Sequence, residues 1–332
     1  VIPSRFVDGY GLTVDAVDDI AKAGASLIIT VDCGSLSEPE IIHANEISID
    51  VIVTDHHNAA SKQPPAIAVV NPKRSDSKYP FADLAGVGVA FKLIQALQKK
   101  LSGIPDGQEK WLLDLVALGT VCDVVTLLDE NRIFAYWGMK VLSRQRRLGL
   151  KSLMIVAGVN PSKINARCLG FALGPRMNAA GRLETAKYSL DLLTSDDVTK
   201  ALDEARHLDD MNAQRRAEQS AITKEAIIQA EKYRDDAVLV LSSPGWNNGI
   251  VGIVAAKILE KYKKPAFVMQ ENGEETRGSA RSFGDFSVAD AVRYCDGIII
   301  SGGGHKLAAG VTLPTANIDS FRKRLNEYYV SL

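Results

Sequence analysis

Two apolar runs of strand length, separated by a polar stretch of helical character, constrain the fold more than any other feature of this sequence. The runs are SLIITVD (residues 26–32) and DVIVTD (residues 50–55), and SEPEIIHANEI lies between them. Strand, short crossover helix and strand form a βαβ unit with parallel, buried strands. A third apolar run at residues 66–70 precedes helical periodicity in VGVAFKLIQALQKKL and EKWLLDLVALGTVCDVV. The first part of the chain is therefore predicted to be a parallel sheet flanked by helices.

Residues 196–234 contain neither glycine nor proline and are rich in charged residues, glutamine and alanine. Apolar residues recur there at helical spacing, which predicts one long, largely solvated helix that connects two bodies. A new βαβ rhythm follows in AVLVLSSP, GIVGIVAAKILEKY and PAFVMQ, and then come GIIISGGGH and AAGVTL. The predicted organisation is an α/β domain at residues 1–195, a connecting helix at 196–235 and a smaller α/β domain at 236–332.

Composition describes an ordinary globular chain. Its 332 residues suffice for about two domains. The formal net charge is −1, so a nucleic-acid partner would be held by local basic patches and not by a polycationic body. The four cysteines are far apart and match neither a metal-knuckle spacing nor a disulfide framework. That cysteine pattern predicts a reducing cytoplasm. No apolar run reaches the ~20 residues of a spanning helix, so we expect no membrane contact.

Acidic residues and histidines follow the predicted strands at the points where the strands end. Asp32 follows the first strand, and Asp55, His56 and His57 follow the second. The carboxyl edge of a parallel sheet is where α/β proteins place their chemistry, so these side chains are expected to lie within reach of one another. Asp123, at the end of an apolar helix, adds a further carboxylate. Carboxylates with imidazole suit Mn²⁺ or Mg²⁺, and paired hard cations suit phosphoester hydrolysis.

A structural interpretation of the same residues stays open. Asp32 and Asp55 would then cap helices or turns, and the two histidines would be half-buried polar residues. Cys33 is expected to be a small packing residue and not a ligand, because the other candidate ligands are oxygen and imidazole donors.

Arginine and glycine motifs in both halves are candidates for phosphate contacts. Arginine forms bidentate contacts with phosphate, and glycines allow close approach of the backbone. Three glycines after an apolar strand would expose N–H groups that can cradle an anion. A capped helix start with solvated arginines, and a plain glycine turn, remain alternatives; the basic clusters at 144–147 and 322–324 are expected to be solvated helix faces. The candidates are Arg176, Asn178 and Arg182 in LGPRMNAAGR, Arg277, Ser279, Arg281 and Ser282 in TRGSARS, and Gly302, Gly303, Gly304, His305 and Lys306 in SGGGHK.

These motifs together resemble a known family. VDCG, TDHH with the downstream NPK, LAGVGVAFKL, ALGTVCDVV, LGPRMNAAGR, GSARS and GGGHKLAAG occur in the order found in the DHH phosphoesterase superfamily with its DHHA1 domain. With IPSRFVDGYGL at the start, the chain is similar to the RecJ family of single-strand-specific exonucleases, over its whole length.

The resemblance implies a two-metal hydrolase that uses Mn²⁺ or Mg²⁺ and degrades single-stranded DNA from the 5′ end. Asp32 would bridge the metals, and His56 and Asp123 would be further ligands. His57 would lie near the scissile phosphate, with Asp55 as a site or supporting carboxylate. TRGSARS and the glycine run would form the nucleic-acid-binding surface of the DHHA1 domain, and the arginines of LGPRMNAAGR would add phosphate contacts from the first domain. Single-strand-binding protein and a helicase are the implied partners, in DNA repair and recombination.

Two family features fall outside this sequence: an Asp-x-Asp-Gly segment expected upstream of IPSRF, and an OB-fold domain beyond DHHA1. Because those aspartates would complete the metal pair, these 332 residues are expected to bind single-stranded DNA but to hydrolyse it feebly. Two other functions remain open: a phosphodiesterase of short oligonucleotides or cyclic dinucleotides, and a non-catalytic single-strand-binding relative.

Overall fold

The computed structural model describes residues 1–3 and 11–332, so most of the motif IPSRFVDGYGL lies outside the described residues. The chain forms two compact units, Val1–Asn212 and Ala213–Leu332. The boundary falls inside one long helix, Val198–Lys232, which contributes a part to each unit. Within the described ranges, no helix is both long and apolar enough to cross a membrane.

The first unit begins with three helices and three strands in the order α1, β1, α2, β2, β3, α3. Its strands β1, β2 and β3 form one parallel sheet in that order, with Leu27 paired to Asp50 and Ile52 paired to Ala68. The predicted βαβ unit and parallel sheet are therefore confirmed. The elements are α1 (Val14–Lys22), β1 (Leu27–Val31), α2 (Glu38–Glu46), β2 (Asp50–Thr54), β3 (Ala68–Val70) and α3 (Gly86–Gln98).

The sheet is buried mainly at its centre. Val51 and Val53 of β2 are fully buried, and they pack with Ile41 and Ala44 of α2. On β1 only alternate residues are covered, because Ile28 and Thr30 are buried while Leu27, Ile29 and Val31 are exposed. Alternation follows from the two-residue period of a strand that has one covered face.

The rest of the first unit is helical. The segment EKWLLDLVALGTVCDVV is not one helix, since a 3-10 helix at Gln108–Leu112 precedes α4. A core of leucine, alanine and methionine side chains from these helices is largely closed to solvent. The helices are α4 (Leu113–Cys122), α5 (Asp129–Leu142), α6 (Leu148–Val156), α7 (Ala166–Cys168), α8 (Gly174–Leu183) and α9 (Lys187–Thr194), with a 3-10 turn at Pro161–Lys163 and a π-helix at Leu169–Leu173.

The predicted long connecting helix is confirmed as α10 (Val198–Lys232), which buries one stripe of side chains and leaves the other positions exposed or half-buried. Alanines supply much of its buried stripe, including Ala201 and Ala205 in the first unit and Ala226 and Ala230 in the second. The apolar periodicity of the sequence marked this stripe.

The second unit contains a five-stranded mixed sheet in the order β4-β5-β6-β8-β7. Strands β4 and β5 are parallel and joined by α11, as predicted, whereas the other pairs are antiparallel. One face of the sheet packs on α12 and α13 through a core that includes Phe267, Val292 and Phe321. The elements are β4 (Leu239–Ser243), α11 (Asn248–Tyr262), β5 (Ala266–Asn272), β6 (Glu275–Arg281), α12 (Val288–Tyr294), β7 (Ser301–His305), β8 (Ala308–Pro314), a 3-10 turn at Thr315–Asn317 and α13 (Ile318–Val330).

The expectation that the glycine run follows an apolar strand was wrong, because residues 297–300 form no strand. The run itself is the edge strand β7, which pairs with β8 through a two-residue hairpin. Gly304 has φ +151°, and a Cβ there would lie 2.4 Å from the carbonyl oxygen of Ala308. Close backbone approach between the two strands therefore explains a glycine at this position.

Candidate metal centre and nucleic-acid face

Polar side chains converge at the carboxyl edge of the parallel sheet. Asp32 follows β1, the Asp55–His57 segment follows β2, and Asn71 follows β3. Ligand atoms of Asp32, His56 and His57 all lie within 4.8 Å of one another. Asp123, the residue that caps the carboxyl end of α4, joins the group from outside the sheet.

His56 is the centre of this cluster. Its Nε2 lies 3.1 Å from Asp32 Oδ1 and 3.5 Å from Asp123 Oδ2. The ring is buried, and among the described residues neither ring nitrogen has a partner in hydrogen-bond geometry. A buried imidazole without a hydrogen-bond partner destabilises the folded state, unless its lone pair binds a cation.

Asp55 has a different environment and a different role. Its side chain accepts hydrogen bonds from the backbone N–H groups of Ser35 (3.0 Å), His56 (2.7 Å) and His57 (3.1 Å). It also accepts one from His57 Nδ1 at 2.8 Å. Asp55 therefore orients the two histidines.

The titration of this group follows from these contacts. Burial favours the neutral form of Asp55, but hydrogen bonds from His57 and Ser35 outweigh it and hold the pKa of Asp55 far below its usual range. The hydrogen bond to Asp55 raises the pKa of His57. Burial raises the pKa of Asp123, and the nearby Asp32 adds to this while His56 opposes it.

A left-handed backbone conformation places the Asp32 side chain in the site. Asp32 has φ +67°, in the left-handed region that few residues other than glycine adopt. A Cβ at Gly86, the first residue of α3, would lie 2.1 Å from Asp32 Oδ1. Only glycine lets the helix approach this carboxylate so closely.

The donor set fits a hard divalent cation. Two carboxylates and one or two imidazoles are oxygen and nitrogen ligands of the type that Mn²⁺ and Mg²⁺ accept. Asp123 also lies at a helix carboxyl end, where the peptide dipoles disfavour an anion. A bound cation would offset both that cost and the repulsion between Asp32 and Asp123. Cys33 has its thiol pKa raised by burial, which keeps it neutral and disfavours it as a ligand.

Two residues of the site were not predicted as functional. Asn71 donates from its side chain to Ser35 Oγ (2.8 Å) and to the carbonyl oxygen of His57 (2.9 Å). It therefore ties the end of β3 to the histidine segment. The signal was present in the sequence, since Asn71 and Pro72 end the third apolar run. Nothing in the sequence indicated Ser35.

In the second unit, one face of the sheet carries several of the predicted phosphate contacts. Arg277, Ser279 and Arg281 alternate along β6 and share this face. The register places His305 and Arg281 opposite the same residue of β8, Ala308, so the three form one row across the sheet. Gly303 pairs with Gly310, and a Cβ at Gly303 would contact nothing within 4 Å. This part of the face is open backbone.

Other predicted contacts are engaged elsewhere or differ in setting. Arg176 Nε lies 2.8 Å from Asp209 Oδ1 of α10, and Nη1 donates to the carbonyl oxygen of Ala172. Ser282 is buried and donates to the carbonyl oxygen of Phe286 at 2.8 Å. Asn178 is exposed on α8, where Arg182 is partly buried.

The fold and the site agree with two family profiles. The DHH family, N-terminal domain, matches residues 1–120, and the DHHA1 domain matches residues 235–331. These matches, with a carboxylate–histidine cluster at the edge of a parallel sheet, define a DHH–DHHA1 protein.

Comparison with named proteins identifies the family within this class. The single-stranded-DNA-specific exonuclease RecJ of Bacillus subtilis (strain 168) is 43% identical over 329 residues, which cover 98% of this chain and 41% of that protein. RecJ of Escherichia coli (strain K12) is 40% identical over 348 residues, with 98% and 60% covered. A crystal structure of exonuclease RecJ bound to manganese has 31% identity and a TM-score of 0.86, and the match covers 100% of this chain and 82% of that chain. The chain belongs to the RecJ family. It spans 41 to 60% of the length of the curated relatives from these two species.

Proposed function

We propose that this chain is the catalytic-core portion of a single-stranded-DNA-specific 5′ to 3′ exonuclease that uses Mn²⁺ or Mg²⁺. The observation that carries the proposal is the buried His56 ring, which lies 3.1 and 3.5 Å from two carboxylates without forming a hydrogen bond. The names of the relatives, single-stranded-DNA-specific exonucleases and a manganese-bound RecJ, support this choice of substrate and metal.

Asp32, His56 and Asp123 would hold the cations. Bound divalent cations supply charge neutralisation at the phosphate and a water of lowered pKa. His57 faces the scissile phosphate through Nε2, because its Nδ1 is held by Asp55. The raised pKa of His57 favours the imidazolium, which donates to a phosphate oxygen.

The DNA strand runs over the β6–β8–β7 part of the DHHA1 sheet, where Ser279 and Arg281 lie beside Gly252 of α11 and the backbone at Gly303 is uncovered. Arg277, Arg281 and His305 supply charge and donors, and the paired glycines of β7 and β8 let the sugar–phosphate backbone approach the sheet. Ser279 adds a hydroxyl on the same face. Asn178 and Arg182 of α8 are further contacts, whereas Arg176 and Ser282 support the surrounding structure through the bonds described above.

We extend the proposal to the domain bounds, the cellular location and the partner proteins. The domains divide at residues 1–195, 196–235 and 236–332, and the protein acts in the cytoplasm. Single-strand-binding protein and a helicase supply and present its substrate, in DNA repair and recombination.

A nuclease assay with 5′-labelled single-stranded DNA and Mn²⁺ tests the function. In a chain extended by the upstream Asp-x-Asp-Gly segment, we expect release of 5′ mononucleotides, loss of the reaction with EDTA, and a large rate decrease in His57→Ala with DNA affinity retained. Preference for di- to tetranucleotides or cyclic dinucleotides would favour the phosphodiesterase instead. DNA binding without hydrolysis in a chain of full family length would identify a non-catalytic relative. The feeble activity expected of these 332 residues stays a prediction that the same assay measures.

A further inference from the structure

Three apolar residues near the metal centre are left open to solvent. Apart from residues at the chain ends, Val124, Phe171 and Leu36 are the most exposed large hydrophobic residues of the described part of the chain, at 86%, 81% and 67%. A single exposed apolar residue is ordinary on a protein surface, but several at one place mark an interaction site. We call these three residues the apolar rim.

Leu36 and Val124 are direct neighbours of residues in the metal centre. Leu36 follows Ser35, whose backbone N–H donates to the Asp55 side chain at 3.0 Å. Val124 follows Asp123 and has φ +63°, in the left-handed region that is strained for a β-branched residue. Strain of this kind is found most often at functional sites. Folding alone does not favour valine here, because the exposed side chain buries little apolar surface.

Phe171 lies near the same end of α4 but belongs to a different segment. It is part of the π-helix Leu169–Leu173, and π-helical turns occur frequently at functional sites. The π-helix packs on the last turn of α4, where Cys122 Sγ donates to the carbonyl oxygen of Leu169 at 3.8 Å. Asp123 directly follows Cys122, so the π-helix lies beside the metal centre.

The charge around the rim suits a polyanion that also has apolar parts. Residues 131–183 contain ten lysines and arginines and neither aspartate nor glutamate, in a chain with a net charge of −1. The exposed Arg167 lies four residues before Phe171. Single-stranded nucleic acid combines anionic phosphates with bases that have an aromatic face. If a phosphate is held at the metal centre, the base and sugar of the same nucleotide meet the residues beside that centre.

We propose that the apolar rim binds the bases of the nucleotides held at the metal centre. Phe171 stacks on one base, and Val124 and Leu36 contact the neighbouring base or its sugar. This inference rests on the proposed nuclease function and adds a source of specificity. A base can stack on Phe171 only when its face is free, and every base has such a face, so the rim selects unpaired bases without selecting a sequence.

Binding of short oligonucleotides to the 332-residue chain in the presence of Mn²⁺ tests the proposal. One ligand is a 5′-phosphorylated dT oligonucleotide, and the other has the same backbone with abasic residues at its first three positions. Fluorescence anisotropy measures the affinities, and gel analysis checks that the ligands stay intact. Phe171→Ala should weaken binding of the intact ligand by about fivefold or more and leave binding of the abasic ligand nearly unchanged. Phe171→Trp should bind the intact ligand as the unmodified chain does.

Two further variants separate the rim from general surface effects. Trp137→Ala is the matched control, because Trp137 is a 55% exposed aromatic residue of α5. The neighbouring Gly138 packs against Leu113, the first residue of α4, so Trp137 lies near the end of α4 opposite to Asp123. This control should bind both ligands normally. Val124→Gly should weaken the intact ligand without lowering the thermal midpoint, because glycine adopts the left-handed conformation freely.

The possible outcomes distinguish the rim from the nuclease function. Equal losses for the intact and abasic ligands in Phe171→Ala, or the same loss in Trp137→Ala, would overturn the inference and leave the nuclease function in place. A lower thermal midpoint of Phe171→Ala, or a dimer that this variant dissociates, would show that protein covers the ring and would also overturn it. A chain that binds neither ligand would contradict the proposed function itself, and the inference with it.

Discussion

Asp55 holds His57 at two points, since Oδ1 accepts from the backbone N–H at 3.1 Å and from ring Nδ1 at 2.8 Å. This arrangement fixes the ring tautomer and leaves Nε2 for another partner. The same carboxylate also accepts from Ser35 and His56, so it organises the whole turn after β2. A buried anion with four such donors makes a contribution to stability that depends on pH.

We predict that Asp55→Asn lowers stability and removes part of its acid dependence. The pKa of Asp55 is depressed in the folded state below the value of about 3.9 in the unfolded chain. As pH falls, the unfolded state binds the proton first. The contribution is therefore complete above about pH 5 and is lost as pH falls toward the folded-state pKa.

Thermal midpoints of the unmodified chain and Asp55→Asn between pH 7 and pH 3 measure this effect. At pH 7 the variant should be less stable by about 1–3 kcal/mol, the usual cost of a broken buried hydrogen-bond set, and the difference should narrow toward pH 3. Asp50→Asn is the control, because Asp50 is the exposed first residue of the same strand. Parallel curves for Asp55→Asn and the unmodified chain would contradict the assigned pKa shift.

Metal binding should stabilise the fold through Asp32. Mn²⁺ that binds only the folded state raises stability by about 2.7 kcal/mol at 100 times its dissociation constant. Asp32→Ala removes one of two carboxylates beside His56, so the rise in thermal midpoint should largely disappear. Asp50→Ala at the opposite end of β2 should keep the full rise. Calorimetric titration with Mn²⁺ provides a second measurement, and an undiminished response in Asp32→Ala would remove Asp32 from the ligand set.

The sequence predicted those parts of the fold that depend on local periodicity. The alternation of apolar strands and polar helices located β1, α2 and β2, and strand ends located Asp32 and the Asp55–His57 segment. Residue type and position alone could not separate the roles of the carboxylates. Asp55 accepts hydrogen bonds from four donors, whereas Asp32 and Asp123 lie beside the His56 ring, which has no hydrogen bond from the described residues. Only the three-dimensional surroundings of each carboxylate distinguish these roles.

Long-range partners account for the other differences. Arg176 is the residue type expected of a phosphate ligand, but it forms an ion pair with Asp209 of α10, which is distant in sequence. The glycine run became a strand because its pairing partner, β8, tolerates close approach at Gly304. Neither contact leaves a periodic signal along the chain.

Substitutions at two adjacent glycines of β7 should differ in their effects on stability and on DNA binding. Gly304→Ala places a Cβ about 2.4 Å from the Ala308 carbonyl oxygen at φ +151°, so we expect a loss of ~1–2 kcal/mol in the free energy of unfolding. Gly303→Val meets open space and should preserve stability, but it should weaken single-strand binding if the strand lies on this face. Urea unfolding and fluorescence anisotropy measure the two effects. If Gly303→Val binds single-stranded DNA as tightly as the unmodified chain, the DNA does not lie on this face of the sheet.

The charge on this face gives the sharpest test of the DNA path. Arg281 lies in one row with Ala308 and His305, beside the open backbone of β7 and β8. If its guanidinium neutralises one phosphate, Arg281→Ala should weaken binding of poly-dT and mixed-sequence oligonucleotides alike, because phosphate contacts carry no base information. The slope of log affinity against log salt should also become shallower by about 1. Arg293→Ala is the matched control, since Arg293 is an exposed arginine of α12 that pairs with Asp290. Affinities at four salt concentrations for the three proteins give the comparison. If Arg281→Ala and Arg293→Ala have the slope of the unmodified chain, the DNA does not cross this face of the sheet.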